Sequence, residues 1–322
     1  MENTDNLDQQ FKTLARKTKR KRWLITILIS FIVSLFVVFG SYKLTQFFAK
    51  KSYLKLDQQF ELVADVASPN IHSDSRYISL SNVLGGTLVS NRYKNVNGYQ
   101  IPWEQKQGSY DWITYSADSG TDAVVEISND QQIVGYRNKA TRNKIPVFFN
   151  PHAKDSLIPA SNEAQSLKDM PNHLAEVGIT FDKPYTYQEI QKMIPKNLLI
   201  NWYWIGTNAH FDTTVLSSYL GINANEKNGS LTKSDYNHFI KQLNKANKQM
   251  GYQLNNDAVS YSLYEDGVAV TEEHSTLETA TFSGIILSGS TENFKSLENK
   301  PWIYASSVGI VIEKVPFIQP TK

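Results

Sequence analysis

The chain of 322 residues contains no cysteine. That absence excludes disulfide scaffolds, disulfide-linked partners, thiolate zinc sites, iron–sulfur clusters and thiol nucleophiles. An excess of one charge is lacking too: 33 Lys and Arg stand against 31 Asp and Glu, a formal net of +2. A nucleic-acid-binding chain would show a strong basic surplus, so no nucleic acid is expected as a partner. With 20% charged and 12% aromatic residues, the composition does not suit a disordered chain, and the length is ample for one or two folded domains.

Catalytic signatures are also missing. No G-x-S-x-G, H-E-x-x-H, G-x-x-x-x-G-K-[ST] or G-x-G-x-x-G occurs. S-x-x-K appears at Ser52–Lys55 and Ser230–Lys233, as chance allows in a chain rich in Ser and Lys, and no K-T-G follows. The histidines are scattered, and only His210 with Asp212 and Glu272–Glu273 with His274 pair His and carboxylate locally. A metal site needs three or four converging ligands. The chain reads as a non-enzyme, with no catalytic, cofactor-binding or metal-binding residues assigned and no cofactor expected.

What is present is a sharply polarised N-terminus. Residues 1–22 carry seven cations, Lys12 to Arg22, against three anions. Trp23 to Tyr42 then runs for twenty residues without a charge, which as a helix spans about 30 Å, the thickness of a bilayer's hydrocarbon core. A cleaved signal peptide would have a shorter apolar region and a small-x-small cleavage site, and SYKLTQFFAKK offers neither. The segment reads as an uncleaved single-pass anchor with the lipid bilayer around it. Seven cations before the span outweigh Lys43, Lys50, Lys51 and Lys55 after it, so the positive-inside rule puts the N-terminus in the cytoplasm and the bulk of the chain outside.

The expected organisation is a basic cytoplasmic tail at 1–22, a transmembrane helix at 23–42, a juxtamembrane helix at 43–66, a β-rich extracytoplasmic domain at 67–165 and a C-terminal domain at 166–322. In the tail, Leu7, Phe11 and Leu14 recur at i, i+4 and i+7, one helical face. With Lys17 and Lys19 beside them, they are the candidate partner-binding residues. The alternative is an unstructured tail whose cations only fix topology and touch anionic headgroups. RYISLS, TLVSNRY, VVEIS, QIVGYR and PVFFN are candidate strands. Asn97–Gly98 suits a type I′ hairpin turn, Asn129–Asp130 a second turn, and SLIPASNEAQSLKDMPN a linker.

Beyond it, LAEVGITF and LLINWYWIGT read as strands around a helix opened by the T-x-x-E box of Thr186 and Glu189. TFSGIILSG and WIYASSVGIVIEKV read as strands around a helix, ENFKSLEN, capped by Ser290 or Thr291. Two β–α–β units on one sheet make an α+β, ferredoxin-like sandwich, here with a central insertion. The insertion holds a helix from Lys233 to Met250, capped by Thr232 and stopped by Gly251. VSYSLYEDGVAVT fits a hairpin or a helix. Trp202 and Trp204, two apart in one strand, share a face and either line a pocket or form core beneath a helix.

Several phrases together resemble the bacterial sigma factor regulator family of membrane-bound anti-sigma factors. FKTLARKTKRKRW, ASPNI, LGGTLVSNRYKNVNGYQIPWE and VFFNPHA are similar to its N-terminal module. AEVGITFDKPYTYQEIQKMIPKNLLINWYWIGT, FSGIILSG and ASSVGIVI are similar to its C-terminal module. The resemblance implies regulation of an extracytoplasmic-function sigma factor, linking envelope state to transcription. Twenty-two residues are too few for a folded anti-sigma domain, which leaves three routes: action through a membrane partner protein, binding of a sigma factor by the short tail helix, or retention of only the outer sensory or binding part. The competing reading is a cell-surface binding or assembly module whose N-terminal segment is only an anchor. The topology is testable: protease added to intact, wall-stripped cells is expected to release a fragment of nearly the full outer mass, and complete protection of that mass would contradict the orientation.

Overall fold

A computed structural model describes residues 2–117, 124–130, 132–250, 253–255 and 260–322. Helix α1 (Glu2–Val66) is unbroken, about 100 Å long at 1.5 Å per residue. Residues 23–42 are exposed throughout. Among the described residues this is the one helix long and apolar enough to cross a membrane. The expected tail, span and juxtamembrane helix are therefore one element, and the alternative of an unstructured tail gives way to helix from Glu2 onward. The helix ends where Ala67 N–H and the Ser68 hydroxyl both donate to Val63 O, each at 2.9 Å, just before Pro69, which cannot continue it.

Strands β1 (Ile71–Asn82), β2 (Gly85–Val96), β3 (Tyr99–Asp111) and β4 (Tyr115–Ala117) form an antiparallel meander in that order. Asn97 (φ 53°) and Gly98 (φ 96°) make the β2–β3 turn, both in the left-handed region that a type I′ turn requires. Strands β5 (Val124–Asn129), β6 (Gln132–Asn138) and β7 (Lys144–Ile145) form a second small sheet. The expected Asn129–Asp130 turn falls one residue later, because Asn129 pairs with Gln132; Asp130 opens it at φ 44° and position 131 lies outside the described residues.

Two expectations for this region are corrected. PVFFN is not a strand. Pro146 has no amide to give, and the next three amides bond to hydroxyls instead of a neighbouring strand: Val147 to Ser307, Phe148 to Tyr219 and Phe149 to Thr180, at 3.2, 3.3 and 3.1 Å. SLIPASNEAQSLKDMPN is not a free linker either. It holds a 3₁₀ helix, Glu163–Asp169, whose Ala164 and Leu167 are buried in the main core, and Asn162 bridges to Ser306.

The rest is built on a five-stranded sheet. Strand β8 (His173–Thr186) passes through the capping box of Thr186 and Glu189 into α2 (Tyr187–Met193) and then β9 (Leu199–Trp204). Next come β10 (Gly221–Asn223), α3 (Lys233–Gln249), the hairpin β11 (Gln253–Asn255) and β12 (Ser260–Ser262), α4 (Leu263–Glu272), β13 (Thr281–Ser290) and β14 (Ile303–Glu313). Helix α3 starts on a capping box of Thr232 and Asp235; the expected stop at Gly251 lies outside the described residues. The ambiguous VSYSLYEDGVAVT becomes β12 plus α4, with Val259 outside the described residues and Gly267 inside the helix rather than ending it. ENFKSLEN forms a 3₁₀ helix, not an α-helix. Neither expected residue caps it: Ser290 makes no capping bond, and the Thr291 hydroxyl donates to Met170 O at 2.6 Å.

The sheet order is β10-β9-β13-β8-β14, every neighbour antiparallel. β8 and β9 thus run parallel across β13, and β13 and β14 parallel across β8. Such strands, buried along nearly their whole length, need cover on both faces. Leu62, Val63 and Val66 of α1 join the same core as Ile179, Trp202 and Phe239. Gly221 stands where a Cβ would lie 2.3 Å from the Trp202 ring and 2.1 Å from Tyr203 O. Gly221→Ala is expected to lose about 1–3 kcal/mol through overpacking, read from the urea midpoint of the detergent-solubilised chain.

Candidate functional site

The meander meets the five-stranded sheet along a buried polar seam. Its centre is Lys94 of β2, whose ammonium lies 2.9 and 3.1 Å from the two carboxylate oxygens of Glu176 on β8. Both residues are excluded from solvent. Removing two charges from water is unfavourable unless the remaining donors and acceptors are satisfied, and here they are. Asn70 Nδ2 donates to Glu176 Oε1 at 2.8 Å, and the Lys94 ammonium sits 4.7 Å from the centre of the Trp103 ring, a cation–π contact. Asn70 reaches the pair because the turn out of α1 puts it at φ 53°, a region Asn tolerates.

The seam continues from there. Asn95 O accepts from Asn70 Nδ2 at 3.0 Å and from Asn201 Nδ2 at 2.9 Å. The Ser288 hydroxyl donates to Asn201 Oδ1 at 2.6 Å and accepts from Asn97 N–H at 2.8 Å. One hairpin, β2–β3, is thereby fixed to three strands of the sheet by side chains that are each unremarkable in sequence.

On the solvent side of the seam, His72 stacks on Tyr93 with ring centres 5.2 Å apart. Glu226 accepts from the Tyr93 hydroxyl at 2.9 Å and lies 3.3 Å from His72 Nδ1. Burial pulls the His72 imidazole below its ordinary value; Glu226 opposes the shift and Lys94 reinforces it. Burial and the bond to Glu226 push the Tyr93 phenol up to about 12. These residues face a cleft of about 350 Å³ closed on one side by Phe60 and Asp65 of α1. A smaller cavity of about 130 Å³ lies on the other side of the α1–β1 turn. Val63, Ala67, Trp103 and Tyr136 make it apolar, with Arg92 and the Glu176-paired Lys94 also lining it. Helix α1 contributes to both spaces.

The residues singled out in the sequence fall elsewhere. Leu7, Phe11 and Leu14 are exposed on α1, about 80 Å along the helix from its last turn, and Lys17 and Lys19 are exposed beside them. Trp202 and Trp204 are buried core, each packed against Phe148 at 5.6 and 5.0 Å. His152 and His210 come edge to face at 5.8 Å, and among the described residues no three His, Asp or Glu side chains form a metal-binding group. The Lys94–Glu176 pair escaped sequence reading. Its one signal was Glu176 itself, a charge inside the apolar strand LAEVGITF.

Residues 12–101 match the family model described as Sigma factor regulator N-terminal, and residues 167–310 match the one described as Sigma factor regulator C-terminal. No curated protein and no solved structure matches the chain. Lys94 falls in the first matched region and Glu176 in the second, so the buried pair joins the two. Lys94→Met leaves Glu176 buried without its cation and is expected to destabilise by about 3–5 kcal/mol. Adding Glu176→Gln is expected to recover part of that loss, as measured by a double-mutant cycle in urea.

Proposed function

The chain belongs to the sigma factor regulator family, and from that premise we propose that it is a membrane-anchored, anti-sigma-factor-like regulator linking envelope state to transcription. The apolar stretch of α1 crosses the membrane with residues 1–22 in the cytoplasm, as the seven cations before it and four after it favour. The outer part carries the sensing surfaces, the cleft at His72 and the cavity beside Lys94. Its C-terminal module is a ferredoxin-like sandwich, a reading supported by the split order β9-β13-β8-β14.

The observation that carries this reading is the continuity of α1. One helix bears the exposed face of Leu7, Phe11 and Leu14 at one end and the buried Leu62, Val63 and Val66 at the other. A displacement of the outer core therefore reaches the tail without crossing a hinge. The tail face docks in a groove of the sigma factor or of a membrane partner protein, where each apolar side chain contributes about 1.5–3 kcal/mol. Lys17 and Lys19 add attraction to an acidic partner.

Replacing Leu7, Phe11 and Leu14 together by Ala is expected to abolish regulation in a sigma-dependent reporter strain while membrane insertion persists, because all tail cations remain. Replacing Lys17 and Lys19 alone is expected to weaken partner binding in a salt-dependent way. If the triple variant regulates as the parent does, the anchored binding module takes the place of the regulator.

A further inference from the structure

The β1–β4 meander runs down the side of α1 toward the membrane-spanning stretch. Far from the span, Arg76 of β1 pairs with Asp57 at 3.0 Å. Nearer to it, Tyr110 of β3 packs edge-on against Tyr53 at 5.4 Å. At the lower end, Gln46 Nε2 donates to Val83 O in the β1–β2 turn. Gly85 pairs with Asp111, so the β3–β4 turn lies beside the β1–β2 turn at this same end of the sheet. Gln46 is four residues past Tyr42, about 6 Å along the helix.

These two turns are unusually apolar for loop tips. Leu80 is 70% exposed, Val83 58%, Trp112 42% and Ile113 72%, with Leu84 exposed among them. Among the described residues nothing covers this cluster. The helix beside it is apolar too, since Leu44 and Phe47 are exposed beyond the end of the span, and the first lysine pair, Lys50–Lys51, lies just above them. Lysines mark the level where a helix passes through the headgroups, and Lys43 below and Lys50–Lys51 above bracket Gln46, where the two tips sit.

The backbone of the tips is prepared for a region poor in water. Asn82 Oδ1 accepts from Leu84 N–H at 2.8 Å and Gly85 N–H at 2.9 Å. Asp111 Oδ1 accepts from Ile113 N–H and Thr114 N–H, both at 2.7 Å, and Asp111 N–H donates to Thr114 O at 2.8 Å. Turn amides left unbonded would oppose entry into the interface; here the side chains of Asn82 and Asp111 satisfy those of Leu84, Gly85, Ile113 and Thr114. Trp112 and Tyr115 add the amphipathic rings that favour that depth.

We propose that the β1–β2 and β3–β4 turns insert into the headgroup–acyl boundary of the bilayer that α1 crosses. The protein then has a second foothold on the lipid: Val83, Leu84, Trp112 and Ile113 bury their side chains in the interface and Lys43, Lys50 and Lys51 meet anionic headgroups. This rests on the reading of α1 as a membrane anchor. It makes the meander a lipid-facing element and fixes the tilt of the outer core against the membrane plane.

The absence of cysteine permits a direct test on the full chain. Val83→Cys, Ile113→Cys, Ile32→Cys in mid-span and Lys241→Cys on α3 are each spin-labelled and reconstituted in vesicles of mixed zwitterionic and anionic phospholipid. Collisional access to lipid-dissolved oxygen is compared with access to an aqueous nickel chelate. The expected result is that labels at 83 and 113 favour oxygen several-fold over the label at 241 and fall between 241 and 32. If 83 and 113 match 241 while 32 reads lipid, the insertion is overturned and the anchor stands. If 32 also reads water, the anchor reading fails and the insertion with it. Labels at 83 and 113 shielded from both reagents, and released on diluting the protein in lipid, would mean that a second copy covers the tips, which also overturns the insertion.

Discussion

Helix α1 must satisfy two burial requirements at once. Residues 23–42 are uncharged and none of the described residues covers them, so their apolar surface calls for lipid. The last turn is the opposite: Leu62, Val63 and Val66 are sealed inside the core that the five-stranded sheet builds. Asp65 fastens the same turn to α3, accepting from Gln242 Nε2 at 2.8 Å and meeting His238 Nε2 at 2.9 Å. The Ser218 hydroxyl holds the carbonyl of Ala67 at 2.8 Å. No Pro interrupts the helix between these ends, so the apolar stretch and the folded core share one continuous helix. The rest of the architecture is arranged around that helix, with the meander along its side and the sheet at its tip.

The Lys94–Glu176 pair shows how the meander is held to the sheet. Buried ion pairs contribute little net stability compared with an apolar pair of the same volume. What this one adds is a constraint on register. A hairpin held by Val96, Tyr99 and Trp103 alone, which pack on Leu174 and Ile310, could slide by two residues and keep an apolar face in contact. In the observed register Lys94 meets Glu176 and Asn97 N–H meets Ser288, so the buried charges and that amide are paired. That register is also what brings His72, Tyr93 and Glu226 together above the seam, so the cleft inherits its shape from a contact it does not contain.

What could be read from the sequence follows from how local each signal is. The apolar run of α1, the box of Thr186 with Glu189, the cap of Thr232 and the Asn97–Gly98 turn are each set by a handful of neighbouring residues, and all appear in the structure. PVFFN failed because its amides are taken by hydroxyls of Ser307, Tyr219 and Thr180, partners remote in the chain. Thr291 failed as a cap because Met170 O, 121 residues away, competes for its hydroxyl. Glu176 could have been flagged from its apolar strand, but Lys94, 82 residues earlier, lies in a stretch with polar residues on both sides and looks like surface. Apolar exposure at the tips was equally hidden, because Leu80, Val83, Trp112 and Ile113 read as ordinary strand ends until the pairing of Gly85 with Asp111 sets the two turns side by side.

A helix shared by both ends limits how a regulator of this shape can work. Coupling between an outer site and the tail must be reciprocal: whatever factor a ligand in the cleft applies to partner binding, the partner applies to the ligand. A ligand with equal affinity for two positions of α1 shifts nothing. The cleft meets this condition through Phe60 and Asp65, which belong to α1 and form one of its walls, and the apolar cavity meets it through Val63 and Ala67. Both spaces therefore change shape when α1 moves relative to the sheet. A rearrangement of α3 would reach the cleft through Asp65, which Gln242 and His238 hold. Both spaces thus border the last turn of α1 where it is seated against the meander and the sheet, beside the polar seam.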